Sequence, residues 1–468
     1  MKIAYILIAF IAFFNFDQPI YGQSDRVKTF NRLDKMFQNY KYGKHKIILG
    51  PTPKDYILLD YFKEYFIDKT DKLGYENLGQ ETIIIFGTQY ICVKQFTLVK
   101  YAPDPCEVDP FKVTSIEPLI LFYNEIFPSF ICGVSSNAPN QGGVFDNFFL
   151  NKSGSIGFRF TTRCKDRKVY YEISSPDGYF QYPLKGVFYS SVGKVEIFPD
   201  IPWNYEKLMC TKSRTQSSLH FRFYDDQGQE KSVTETVYYR SPNDCILGAD
   251  LTKMGYSSDG FQNMRWMTVG YVNEESREIE EIMNEIVKSN PQIPAWGYAA
   301  GSGDVLFDQI EAIWKFLQAK DVKYASMTTT TDGFNPNLRS QYVRNVENSL
   351  NDKLANCIDG SVLIVSILRK WGFPTSLVLV PGHAFISFGI KEVEEVNNKT
   401  VEIMKEYHLE TTLVGAKDSF GEKCSFIRAV AKAEIEAKVE YRGQLNYYNL
   451  NVYRPFVKPV PFHLCKYP

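Results

Sequence analysis

Residues 356–388 read NCIDGSVLIVSILRKWGFPTSLVLVPGHAFISF. From 358 to 371 the run is apolar on nearly every side, with Val362, Val365, Ile367 and Leu368 among its members. A helix with no polar face has to be buried at the centre of its domain, and Gly372 suits the position just past its end. Cys357 therefore stands in the first turn or at the cap. There the unpaired backbone N–H groups and the helix dipole favour a thiolate, and the same N–H groups can donate to a developing oxyanion. Position alone leaves a buried structural cysteine as the other reading. Downstream, 376–380 has the composition of a strand, Pro381-Gly382 that of a turn, and 384–388 that of a second strand. His383 then lies at a strand edge beside the turn. An imidazole there can take a thiol proton and return it to a leaving group.

A third side chain should orient that imidazole through its other nitrogen. Glu410, in the run HLETTL at 408–413, falls on an expected strand beyond a charged insertion at 391–405. A carboxylate among Leu409, Leu413 and Val414 needs a partner if it points inward, and His383 is the natural one. An outward-facing Glu410 is the alternative.

The order Cys357, a long apolar helix ending Leu-Arg-Lys-Trp-Gly-Phe-Pro, then Gly-His-Ala-Phe at 382–385, resembles the transglutaminase-like core of the papain-like thiol superfamily. The likeness runs from about Asp304 to Val430. Together with Cys-Ile-Asp-Gly and Glu-Thr-Thr, it is similar to a group of secreted bacterial proteins of undefined substrate. The resemblance implies Cys357 as nucleophile, His383 as base and Glu410 in the acidic position. Gln341 and Tyr324, in stretches similar to the family's approach to the Cys helix, are the weak candidates for oxyanion or supporting roles. Three departures stand out: Asn356 where Gly is frequent, Phe385 where Trp is usual, and Glu410, one methylene longer than Asp.

The rest of the chain frames this stretch. The implied fold class is α+β, a β-sandwich-like N-terminal region followed by a papain/transglutaminase-like core. Residues 1–22, with Lys2 ahead of an apolar run at 3–16, have the anatomy of a signal peptide. The run is shorter than the roughly 20 residues of a membrane span, and no transmembrane segment is expected. A secreted or periplasmic protein follows. Residues 23–143 read as mixed structure, with a helix expected at 56–66 and strands at 81–86 and 91–101. At 144–272, Ile156, Phe158 and Phe160, then Leu219, Phe221 and Phe223, alternate with polar or small residues, which predicts antiparallel strands of a sandwich. The core with a C-terminal extension is expected over 273–468, with helices at 276–288, 305–317 (Asp304 as cap) and 339–350.

With 53 basic and 54 acidic side chains the net charge is −1, which gives no whole-chain field for nucleic acid. No CxxC pair, HExxH or EF-hand loop is present, so neither a metal nor a cofactor is expected. Nine cysteines in an oxidising compartment leave at least one thiol free; eight could pair and leave Cys357. Two functions fit: a thiol enzyme acting on protein or peptide substrates, or a binding module whose aromatic N-terminal half holds a glycan or surface protein.

Overall fold

The computed structural model describes residues 110–134, 156–250, 260–325, 335–396, 399–417 and 420–465, with two strands at Ile83–Phe86 and Tyr90–Val93 and the single positions Cys106 and Thr252. The expected leader at 1–22, the helix at 56–66 and most of the strand at 91–101 lie outside the described residues. The chain is an α+β protein. No helix among the described residues is long and apolar enough to cross a membrane.

Two sheets share one apolar core in the first half. Ser115–Ile120, Ile156–Thr162 and Gly193–Ile197 form a three-stranded antiparallel sheet. Glu125–Ile126, Glu230–Tyr239, Thr215–Tyr224, Lys168–Ser174 and Leu184–Tyr189, in that spatial order, form a five-stranded one. Phe158 and Phe160 of the first meet Tyr171, Phe188 and Phe223 of the second, with Phe158 and Phe223 centroids 4.8 Å apart. The boundaries differ from 144 and 272. Ser115–Ile120 supplies an upstream edge strand, and the last sandwich strand ends at Tyr239. Asp244–Asp250 instead pairs with Leu338–Tyr342 and Phe261–Asn263, and its Cys245, Ile246 and Ala249 join the core of the second half. Alternation marks a strand without saying which sheet will take it.

In the second half a four-stranded antiparallel sheet is built from β1 (Thr375–Val380), β2 (His383–Val396), β3 (Lys399–Leu409) and β4 (Asn446–Asn449), in the order β3-β2-β1-β4. Helix α1 (Cys357–Lys370) covers one face and α2 (Phe426–Ile435) reaches the other. Every residue of β1 is buried because the strand packs both ways: Leu377 and Leu379 join the α1 side, while Val378 and Val380 meet Ala433 and Ala437. The charged insertion at 391–405 prolongs β2 and β3 into one long hairpin, with Lys405 between Glu392 and Glu394.

Two local expectations give way to tertiary context. Residues 339–350 divide into the strand Leu338–Tyr342 and the short helix Val346–Asp352, because Asp244–Ala249 takes the first part as a β partner. Asp304 is the first helical residue of Asp304–Ala319 rather than its cap, and Gly303 precedes it with φ at 51°.

Candidate active site

The local sequence fixes Cys357 before any tertiary contact does. Asn356 is the N-cap of α1: its side chain accepts from the Asp359 N–H at 2.8 Å, and Asp359 returns the bond to the Asn356 N–H at 3.0 Å. Asn356 therefore closes a reciprocal capping box. The box consumes the amides of residues 356 and 359 and leaves those of Cys357 and Ile358 outside it. Asp359 is fully buried, and Arg344 holds it twice, through backbone N–H at 2.8 Å and guanidinium at 2.9 Å. Burial pushes the Asp359 carboxyl upward against those bonds. Cys357 itself is half-buried and free, the first residue of α1.

His383 opens β2 directly after the two-residue turn Pro381-Gly382, in which Gly382 takes φ +75°. The imidazole Nε2 is 2.6 Å from Glu410 Oε2. A carboxylate can only accept, so Nε2 carries the proton. Burial disfavours a charged ring, but the neighbouring Cys357 and the bond that His383 donates to Glu410 outweigh it and raise His383 to about 10. The ring therefore holds its proton more tightly than a free imidazole.

Glu410 does not lie on a strand. It caps the short 3-10 turn Thr411–Gly415 just past β3, and its Oε1 accepts from the Thr412 N–H at 2.8 Å and the Thr412 hydroxyl at 2.6 Å. Its second oxygen is thereby free to face His383, and the extra methylene of Glu over Asp spans that step. Buried to 1 % exposure, Glu410 is nonetheless held well below the usual carboxylate range, because the His383 and Thr412 bonds overcome desolvation. Thr411 ties this turn to α1: its hydroxyl bonds the Cys357 carbonyl at 3.2 Å and meets the Ser361 hydroxyl at 3.2 Å. Gly360 permits the approach, since a Cβ there would stand 3.3 Å from Thr411 Oγ1.

Gln341 and Tyr324 flank the site without bonding to it. Gln341 pairs with Cys245 in the Leu338–Tyr342 strand, one residue before Tyr342, whose carbonyl accepts from the Asn356 side chain at 3.5 Å. Tyr324 lies across from Ala355 and is half exposed. Their contribution is to position the strand entering α1.

One carboxylate escaped the sequence reading. Glu436, just past α2, puts Oε2 3.8 Å from His383 Nε2. Its signal in the sequence is faint: Phe426, Ala429, Ala433, Glu436 and Ala437 recur at helical spacing, and only the fold shows that this stripe is buried, where an acidic residue requires a partner. Donor atoms of His383, Glu410 and Glu436 all lie within 4.8 Å of one another, the one such His/Cys/Asp/Glu grouping among the described residues. The 2.6 Å Nε2–Oε2 separation is a hydrogen bond, shorter than the roughly 3.3 Å between two donors on one tetrahedral zinc. The spacing suits protons.

Some of the cysteines pair, as expected. Cys106–Cys164 and Cys210–Cys465 are disulfides, while Cys132, Cys245 and Cys357 are free thiols and Cys424 belongs to neither bridge. Cys245 and Cys424 are buried, and burial pushes the Cys245 thiol far up, out of reactive range. No protein-family model matches the chain, and no curated protein does.

Proposed function

We propose that the chain is an exported thiol enzyme of the transglutaminase-like kind, which cleaves or transfers amide or acyl groups of protein or peptide substrates. The observation that carries the reading is the His383 imidazole, which donates to Glu410 at 2.6 Å and has Cys357 among the neighbours that raise its pKa. The Cys357 thiolate attacks the substrate carbonyl, and the oxyanion that forms faces the N–H groups at the start of α1. His383 gives its proton to the departing amine and leaves a thioester on Cys357. Water or a second amine, deprotonated by the now neutral His383, attacks the thioester and frees the Cys357 sulfur, with the proton back on His383. Hydrolysis is favoured because water needs no acceptor pocket of its own. Two disulfides support an oxidising compartment.

The test is alkylation by iodoacetamide, mapped by peptide mass so that Cys357 is read apart from the buried thiols. Native protein should modify at Cys357 faster than urea-unfolded chain at the same pH, and His383→Ala should abolish that excess. Equal rates in the two states would sink the reading.

A binding role for the N-terminal half draws on one surface. Tyr170, stacked on Tyr224 at 5.3 Å, shares the outer face of the five-stranded sheet with exposed Val187 and Tyr189. Aromatic faces in such an array can stack on sugars. Glycan-array binding that survives Cys357→Ala would assign that role to the sandwich.

A further inference from the structure

We propose that Glu436 is a positioning residue of this site: it holds a proton against Glu410, so that Glu410 alone meets His383 as a charged carboxylate. The inference rests on the thiol-enzyme reading of Cys357 and His383, and it adds a fourth side chain to their set.

The geometry comes first. His383 and Phe385 share one face of β2, and Phe385 packs against Ala433 and Ala437. Glu436, between those two alanines, is thereby turned toward the imidazole; it is 6 % exposed. The helix changes pitch there: Glu436–Glu440 is π-helical, closed by the Tyr441 N–H on the Glu436 carbonyl at 2.8 Å. Such one-turn widenings recur where a helix has to aim a functional side chain.

Hydrogen-bond accounting then requires a proton. Glu436 Oε1 is paired with Lys432 Nζ at 3.1 Å, but Oε2 is buried and, at 3.8 Å from His383 Nε2, has no hydrogen-bond partner. The single Nε2 proton of His383 is already given to Glu410, whose other oxygen is taken by Thr412. An ionised Glu436 would bury a bare lone pair beside a second carboxylate. A protonated Glu436 becomes a donor, with Glu410 as acceptor, and both defects vanish.

The charges facing Glu436 divide. Lys432, which also serves Glu440, and His383 from β2 favour its ionised form, while Glu410 from the 3-10 turn opposes it. Desolvation and the neighbouring Glu410 push Glu436 up to about 7, while Glu410 moves down. Below that pH the proton locks the carboxyl pair; above it the two carboxylates repel and the Glu410–His383 alignment loosens.

The rate of Cys357 alkylation by iodoacetamide, followed across pH in wild type, Glu436→Gln and Glu436→Leu, tests this. Wild-type reactivity should fall several-fold as pH rises through neutrality. Glu436→Gln, whose amide keeps a donor toward Glu410, should lose that inflection, and Glu436→Leu should react several-fold more slowly at every pH. An infrared carboxyl band of wild type, lost above neutrality and missing from Glu436→Gln, reads the proton directly and serves if the Leu variant fails to fold. A Gln profile superimposable on wild type, a Leu variant as fast as wild type, or no titrating carboxyl band overturns the role of Glu436 and leaves the triad standing. A wild-type Cys357 unreactive at every pH overturns both.

Discussion

At the scale of single residues, the decisive quantity is the charge on His383. Its neighbours raise it to about 10, so the ring proton is lost on the alkaline side. The sign for stability follows: a raised value contributes fully below the ordinary 6.5 and is lost as pH climbs through about 10. Glu410 runs the other way. Its lowered value contributes above the ordinary 4.5 and is lost as pH falls below it. Glu410→Gln removes the carboxylate that favours the charged ring. The loss of the His383 ring proton, followed by NMR of the imidazole, should then move from about 10 toward the ordinary histidine range. An unmoved ring titration would mean that Glu410 does not hold the imidazole. Cys357, His383 and Glu410 were legible because each sits in a run of extreme character: an all-apolar helix, a Pro-Gly hairpin turn, a carboxylate among leucines. Glu436 was not, because its stripe of alanines is too weakly hydrophobic to announce a buried face until the helix is seen against β2.

At the scale of elements, the site depends on where α1 begins, and one buried pair sets that. Arg344 and Asp359 are 8 % and 0 % exposed, and Asp359 also closes the capping box. Removing one partner of a buried pair leaves the other uncompensated, at about 3–5 kcal/mol. Loss of a cap side chain costs about 1 kcal/mol. Asp359→Ala should therefore destabilise far more than Asn356→Ala in urea unfolding, although both remove a bond of the same box. Equal losses would show that Arg344 contributes nothing beyond the cap. The sequence makes α1 plain and conceals what leads into it. Residues 339–350 contain a helical-looking pattern, yet Leu338–Tyr342 is claimed as a strand by residues almost a hundred positions earlier. No local window can see that partner. The same blindness hid the hairpin of β2 and β3 within the charged insertion, since its outward charges mask the alternation of a strand.

At the scale of the whole molecule, the sandwich and the thiol core are joined covalently. Cys210 ends the helix Tyr205–Met209 beside the five-stranded sheet, and Cys465 lies in the C-terminal tail, 255 residues on. Nine cysteines announced crosslinks without saying which, because connectivity depends on a fold that brings distant segments together. The tail is also held by side chains. Val457 and Val460 pack near Gly270, and Arg454 reaches the Val272 carbonyl at 3.0 Å, so the disulfide reinforces an existing seam. Constraining so long a loop in the unfolded chain is worth about 2–4 kcal/mol, and strain in the native state is the main reason for less. The paired variant Cys210→Ser/Cys465→Ser should thus unfold at lower temperature than wild type by calorimetry, and added reductant should shift it less than it shifts wild type. Its Cys357 alkylation rate at low temperature should stay at the wild-type value, because Asn356, Asp359, Thr411 and Glu410 position the site from within the core. Slowed alkylation in a still-folded double variant would show the opposite, that the sandwich helps to hold the thiol in place and belongs to the working site.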